Sequence, residues 1–174
     1  MPLRVCYFGT YRQAYSRNRI MIEGLRRNDV DVLICHQQLW HGIEDRVWVA
    51  SGNFWRPSFL LRVVSAYARL IIDYVRLDPY DVMVVGYPGH LDVWLARLLS
   101  WLSGKPLVMD VFMSPYLIAT ERGLTQGHHL TGRLLYWFER LAYRLPDMLI
   151  QDTSEYVDWF QEHFRVDPDR FHLV

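Results

Sequence analysis

Residues 81–110 constrain the fold of this 174-residue chain more than any other stretch. Val82–Val85 is a short apolar run, which is typical of a strand covered on both faces. The segment Gly86–His90 ends that strand, because proline lacks a backbone donor and glycine favours a turn. Leu91–Leu102 then has helical spacing, and Leu107–Met109 is a second apolar run. The order strand, loop, helix, strand predicts one right-handed βαβ unit.

The same alternation continues along the rest of the chain. Further strands are predicted at Leu3–Phe8, Val30–Cys35, Met148–Gln151 and Phe171–Val174. Further helices are predicted at Asn18–Arg27, Phe59–Leu77, Arg133–Arg144 and Asp152–Phe164. This pattern predicts a doubly wound, Rossmann-like α/β domain with a mostly parallel sheet of five to seven strands and helices on both faces.

Local signals predict how these helices begin and what joins them. Asn18 and Ser58 can cap the helices that follow them, and residues 152–155 read as a capping box. Residues 36–57 are predicted to be a long connection with a short extra strand at Arg46–Val49. Val111–Gly132 is predicted to be a loop region.

Composition limits the class of protein. Hydrophobic residues make up 51% of the chain, which suits a single folded domain over residues 1–174. The formal net charge is zero, so no general attraction to nucleic acid is expected. Cys6 and Cys35 both fall in predicted strands and read as buried thiols. With neither a signal peptide nor a spanning helix visible, we expect a cytoplasmic protein, with contact to the inner membrane face as an extension.

The loop after the first strand is a candidate binding segment. It carries one glycine and lacks the GxGxxG pattern, which argues against NAD binding. Its hydroxyls, aromatic rings and guanidinium groups suit a sugar or a phosphorylated acceptor, and an ordinary exposed loop is an equal alternative. The candidate residues are Gly9, Thr10, Tyr11, Arg12, Arg17 and Asn18.

The carboxyl ends of the third and fourth strands carry His90 and Asp110. Ligands of open α/β sheets bind at this edge, so both are candidate catalytic residues, and Tyr87 and Gly89 are candidate substrate contacts beside them. His90 can instead cap the helix from Leu91 or bond the neighbouring loop. Asp110 can instead hold the first loop or be a buried carboxylate bonded to backbone donors. We expect the turns after strands one, three and four to meet on one rim.

The sequence lacks the residue patterns expected for metal binding and for catalysis by a nucleophilic serine. The pair His128-His129 has no cysteine or acid at ligand spacing, so no metal site is predicted. A nucleophilic serine would need a GxSxG elbow, and the sequence contains none.

The succession of these motifs resembles the N-terminal half of glycosyltransferase family four enzymes, which are retaining transferases of the GT-B fold. The segments that carry the resemblance are RVCYFGTY, VGYPGHLDVWLARLL, KPLVMDVFMSPY, LLYWFERLAYRLPDMLIQDT and DPDRFHLV.

The resemblance implies an acceptor-binding N-terminal domain, while a C-terminal domain supplies most contacts to a nucleotide-sugar donor. It implies a glycan or lipid-linked acceptor, a setting in cell-envelope glycan synthesis, and no metal or other cofactor. The donor domain is expected to be absent from residues 1–174 and to act in cis or in trans, so this chain alone is expected to be inactive or nearly so.

Two positions depart from the family pattern. Many relatives carry a glycine pair where this chain has Gly9-Thr10, and many carry a histidine where this chain has Phe112. His90 is the nearest residue of the same type, although it lies in a different loop.

Two further functions remain open alongside the acceptor-binding hypothesis. The first is a non-catalytic interaction or membrane-docking subunit that uses the aromatic, arginine-bearing helices Phe59–Leu77 and Arg133–Arg144. The second is a stand-alone nucleotide-binding, flavodoxin-like protein. Ordinary core packing is the simpler explanation of the two helices.

Overall fold

The computed structural model describes residues 2–39, 56–123 and 129–174, except the side chains at positions 129 and 131. The strands are β1 (Arg4–Gly9), β2 (Asp31–His36), β3 (Val82–Val85), β4 (Leu107–Asp110), β5 (Met148–Gln151) and β6 (Phe171–Leu173). The helices in these ranges are α1 (Ser16–Arg27), α2 (Pro57–Val75), α3 (Asp92–Ser103), α4 (Pro115–Glu121), α5 (His129–Ala142) and α6 (Ser154–Phe164).

The six strands form one parallel sheet in the order β2-β1-β3-β4-β5-β6. β1 pairs in parallel with β2 and β3, and β5 pairs in parallel with β4 and β6. The predicted Rossmann-like α/β fold is therefore confirmed, and the six predicted strands that fall within the described residues lie within one residue of their observed bounds. Short buried apolar runs identify such strands well, because both faces of a parallel sheet exclude water.

One predicted loop contains a helix. Residues 111–132 were expected to be irregular, but α4 occupies Pro115–Glu121 and α5 begins at His129 rather than at Arg133. Ser114 caps α4, since its hydroxyl accepts a hydrogen bond from the backbone N–H of Leu117. Pro115 follows at the first helical position, where its fixed φ is already helical. A helix of seven residues is too short to show a periodic apolar pattern.

Two of the three predicted helix caps are wrong. α1 begins at Ser16, two residues before Asn18, and α2 begins at Pro57 with Arg56 at the cap position. Thr153 does cap α6, because its hydroxyl accepts from the backbone N–H of Tyr156 at 3.3 Å. Tyr156 stands where a capping box needs an acid, so only half of the predicted box forms. The predicted strand at Arg46–Val49 lies outside the described residues.

By its internal contacts the chain divides into two compact units, Met1–Tyr87 and Pro88–Val174. In the first unit, β1 and β3 are almost completely buried, and their central side chains form the core with Leu70 of α2. Cys6 and Cys35 are both buried and free, as the sequence predicts. α2 buries only Phe59, Ala66 and Leu70 along its length.

The core of the second unit is rich in aromatic rings. Tyr143 packs edge-on against Phe160 and Phe164 of α6, with ring centroids 4.9 and 5.3 Å apart. Tyr136 of α5 stacks on Phe164 at 5.2 Å. These rings fix α5 against α6, and α5 thereby holds its buried polar residues in place. Within the described ranges, no helix combines the length and apolarity needed to cross a bilayer.

Candidate functional site

The loop after β1 begins with three buried residues. Gly9 has a φ of 138°, a conformation that favours glycine, and Thr10 and Tyr11 are buried beside it. The Tyr11 ring meets Tyr7 edge-on at 5.1 Å and lies 4.5 Å from the ring of His36. His36 Nε2 donates to the carbonyl oxygen of Tyr11 at 2.6 Å, which ties the loop to the end of β2. Much of the predicted binding loop is thus anchored inside the first unit.

Asn18 is the hub that closes this loop. Its Oδ1 accepts a hydrogen bond from the Tyr7 hydroxyl at 3.0 Å. Its Nδ2 donates to the carbonyl oxygens of Tyr87 at 2.6 Å and Arg12 at 3.2 Å. One fully buried amide therefore joins β1, the loop and the turn after β3, which explains why the side chain points inward rather than capping α1.

Gly86 lets the turn after β3 approach this hub. A Cβ at position 86 would lie 2.6 Å from Cε1 of Tyr7, 2.9 Å from Cδ1 of Tyr11 and 3.0 Å from Oδ1 of Asn18. Those distances leave no room for a side chain. The absence of a Cβ at position 86 is thus a condition for the Asn18 hydrogen bonds.

Three of the predicted binding residues, Tyr11, Asn18 and Tyr87, come together in the first unit. Arg12 contributes its backbone carbonyl, while the side chains of Arg12 and Arg17 are half-buried. Tyr15 adds a ring 5.7 Å from that of Tyr87.

The second unit contains His90, which is buried. His90 Nε2 and the Tyr143 hydroxyl are 2.8 Å apart, and that hydroxyl donates to Glu139 Oε2 at 2.8 Å. α3 has Leu91 at its cap position and no side-chain cap, so the alternative that His90 caps this helix is wrong. Gly89 is also buried, and its carbonyl accepts from the N–H of Val93 at 2.8 Å.

Glu139 is the centre of this second polar cluster. Its Oε2 also accepts from the Ser114 hydroxyl at 2.6 Å, and its Oε1 accepts from the backbone N–H of Tyr116. Burial raises the pKa of Glu139 to about 7, although the hydrogen bonds from Ser114, Tyr143 and Tyr116 oppose that shift. Helix α5 and the start of α4 are thereby joined through one carboxyl group.

The cluster determines which ring nitrogen of His90 carries the proton. Burial lowers the pKa of His90 to about 4, so the ring is neutral at pH 7. When Glu139 is ionised, the Tyr143 hydroxyl donates its only proton to Glu139 and accepts from His90, which places the His90 proton on Nε2. Nδ1 is then an acceptor, and it is buried without a hydrogen-bond partner in the described part of the chain. A ligand hydroxyl could donate to this nitrogen.

Asp110 ends β4 and is fully buried, as is Asp92 in the first turn of α3. A carboxylate in the first turn of a helix is stabilised by the helix dipole, which gives Asp92 a structural role.

Sequence reasoning missed Glu139, Tyr143, Ser114 and Gly86. Glu139 is buried on α5, and Tyr143 is buried directly after the last residue of that helix, so an acid among buried apolar and aromatic positions was the available signal. Ser114-Pro115 has the form of a helix start. The side chains that exclude a Cβ at position 86 lie 68 or more positions earlier in the sequence, so no local sequence pattern could predict that this position needs glycine.

No group of three or more histidine, cysteine, aspartate or glutamate side chains that could hold a metal occurs among the residues that the structure describes. His128 lies outside those residues, as does the side chain at position 129.

The strand order and the crossover helices define a parallel α/β protein of the Rossmann-like class. A family model described as a glycosyl transferase 4-like domain matches residues 15–174, so the chain belongs to that family. The predicted resemblance to family four glycosyltransferases is confirmed at this level. No curated protein matches the sequence.

Proposed function

We propose that this chain is the acceptor-binding N-terminal domain of a retaining glycosyltransferase. The enzyme transfers a sugar from a nucleotide-sugar donor to a glycan or lipid-linked acceptor. The family match over residues 15–174 is the observation that carries the proposal. A second domain, in cis or in trans, supplies most contacts to the donor, and residues 1–174 alone bind acceptor with little or no turnover.

In this proposal His90 and Asp110 position the reacting sugar and acceptor by hydrogen bonds. His90 suits the task, since its neutral ring offers Nδ1 as an acceptor while Nε2 bonds to the Tyr143 hydroxyl, which Glu139 holds in place. Gly89 is a further proposed substrate contact of the second unit, and the proposed contacts of the first unit are Gly9, Thr10, Tyr11, Arg12, Arg17, Asn18 and Tyr87. No base in this domain acts as a nucleophile, and no metal takes part.

Two substitutions at position 90 separate binding from structure. His90→Gln can keep a donor near the position of Nε2 and so preserve the bond to Tyr143, but it removes the acceptor Nδ1. His90→Asn can keep an acceptor near Nδ1 but does not reach Tyr143. We expect His90→Gln to weaken acceptor binding about tenfold with stability nearly unchanged, and His90→Asn to lose more stability than affinity.

Saturation-transfer difference NMR with short glycans and lipid-linked sugars measures the affinity, and nucleotide sugars serve as the comparison ligands. Acceptor signals without nucleotide signals support the proposal. Nucleotide signals alone favour a nucleotide-binding, flavodoxin-like protein instead. Loss of folding in both position-90 variants would show that His90 is structural, and Asp110→Asn then tests the remaining candidate in the same assay.

A further inference from the structure

The outer surfaces of α3 and α5 carry large apolar side chains in helical register. On α3 the exposed positions are Trp94, Leu98, Trp101 and Leu102, and on α5 they are Leu130, Leu134, Trp137 and Leu141. Trp101 and Leu102 are 66% and 77% exposed. Spacings of three and four residues place each set on one side of its helix.

The two apolar stripes lie side by side in the second unit. Trp94 of α3 stacks on Phe138 of α5 with ring centroids 6.0 Å apart and an interplanar angle of 27°. Phe138 is next to Trp137 in α5, so the stacked pair connects the exposed sets. We call the surface formed by these eight exposed side chains the tryptophan–leucine face.

Arginine side chains accompany the exposed tryptophans. The guanidinium carbon of Arg97 lies 4.9 Å from the centre of the Trp101 ring, and that of Arg140 lies 4.9 Å from the centre of the Trp137 ring. Arg133 and Arg144 are exposed at the same helix and just after it. Tryptophan and arginine both combine an apolar body with a polar tip, which suits the boundary between lipid chains and headgroups.

The charges on these two helices have one sign at the surface. The only acids within α3 and α5 are Asp92 and Glu139, and both are fully buried. The neighbouring Asp147 is held by Arg97 in a two-pronged ion pair at 2.8 and 2.9 Å. The cations around the tryptophan–leucine face are therefore not neutralised by exposed acids of the same helices, and an anionic surface complements them.

We propose that the tryptophan–leucine face docks on the surface of a bilayer that contains anionic glycerophospholipids. The side chains of Trp101, Leu102, Leu134 and Trp137 enter the boundary between headgroups and chains, and Arg133, Arg140 and Arg144 contact lipid phosphates. The helices lie in the plane of the membrane without crossing it, as amphipathic helices of this composition do. This inference concerns a surface distinct from His90 and does not depend on the proposed transferase activity.

Flotation of the full chain with phosphatidylcholine vesicles, with and without phosphatidylglycerol, tests the proposal. We expect binding to the anionic vesicles that weakens as sodium chloride is raised, because salt screens the charges. Little binding to pure phosphatidylcholine is expected. The vesicles contain no sugar, so a failed acceptor assay leaves this result unaffected.

Matched variants distinguish vesicle binding through the tryptophan–leucine face from non-specific adsorption of exposed apolar residues. The pair Trp101→Ser and Leu102→Ser is expected to weaken vesicle binding at least about tenfold, because two large apolar groups no longer leave water. Ile20→Ser on α1 is the apolar control, since Ile20 is 67% exposed in the first unit. It should leave binding unchanged.

The charge test is the pair Arg133→Glu and Arg144→Glu, which is expected to weaken binding to anionic vesicles about tenfold or more. Arg19→Glu with Arg26→Glu on α1 is its control. Equal losses in test and control variants would overturn the proposal. So would a folded chain that fails to float, and sedimentation that shows a dimer sensitive to Trp101→Ser would then assign the face to a second copy of the chain.

Discussion

Position 86 shows how a single missing side chain can organise a candidate site. Gly86→Ala would force its Cβ against the rings of Tyr7 and Tyr11, both of which are fully buried. We expect a loss of about 1–3 kcal/mol in the free energy of unfolding, measured by chemical denaturation.

The matched control for that change is Gly24→Ala in α1. A Cβ at position 24 meets nothing within 4 Å, and alanine is a better helix former than glycine. This variant should gain about 0.5–1 kcal/mol in stability. Equal stability of the two variants would mean that the turn after β3 relaxes away from Tyr7 without cost.

Individual residues were the hardest feature to predict from the sequence. Asn18 precedes an apolar helical pattern and so resembles a cap, yet its partners include Tyr87, which lies 69 positions away. His90 was identified from its place after a strand. Its tautomer depends on Tyr143 and Glu139, and contacts across such separations have no local signal.

At the scale of elements, Glu139 of α5 and His90, two residues before α3, are buried titrating groups of one cluster. Their effects on stability have opposite signs. Between pH 4 and 6.5 the His90 ring is protonated in the unfolded chain and neutral in the folded chain. His90 therefore makes the free energy of unfolding rise with pH in this range. Between pH 4.5 and 7 native Glu139 keeps a proton that the unfolded chain has released, so Glu139 makes stability fall with pH.

We therefore expect the two contributions to cancel largely between pH 4.5 and 6.5 in the unaltered chain. Glu139→Gln should expose the His90 contribution, and the free energy of unfolding should then rise by up to about 1.4 kcal/mol per pH unit in that window. His90→Gln should give the opposite slope. Urea denaturation at several pH values measures both, and parallel pH profiles for the two variants would contradict the assignment.

The start of α6 supports a second prediction at this scale. Thr153→Ala removes the hydroxyl that accepts from the N–H of Tyr156 and should cost about 1 kcal/mol of stability. Ser154→Ala, one residue inside the helix, is the control and should change stability by only a few tenths of a kcal/mol. A larger loss at Ser154 would place the functional cap there.

Elements were predicted better than residues for a physical reason. β1, β3 and β4 are short, largely apolar runs, because both faces of these strands are buried. α4 was not predicted, because its seven residues form too few turns to show an apolar periodicity. The caps predicted at Asn18 and Ser58 were wrong, since the helices that begin at Ser16 and Pro57 have no side-chain cap.

At the scale of the whole molecule, the proposed function predicts that sugar transfer needs a second, donor-binding domain. Supplying a donor-binding domain of the same family, fused or in trans, should restore transfer from a nucleotide sugar to an acceptor that this chain binds. His90→Gln should lower that transfer without changing nucleotide binding, because the proposal assigns the donor contacts to the other domain. Sugar transfer by residues 1–174 alone, at the rate of the combined protein, would contradict this division.

The fold was predictable at this scale because alternating strands and helices admit few topologies. The tryptophan–leucine face was only half predictable. The arginine-bearing segment Arg133–Arg144 was a candidate docking helix, whereas Leu91–Leu102 was predicted only to be a helix.

The crowding around position 86 also has a consequence for natural variation. Tyr7, Tyr11 and residue 86 share one small volume, so substitutions at these positions should not occur independently. A related chain that carries alanine or serine in place of this glycine should carry a smaller side chain than tyrosine at position 7 or 11. An aligned set of relatives in which bulky residues occupy all three positions would show that the backbone there adopts a different path.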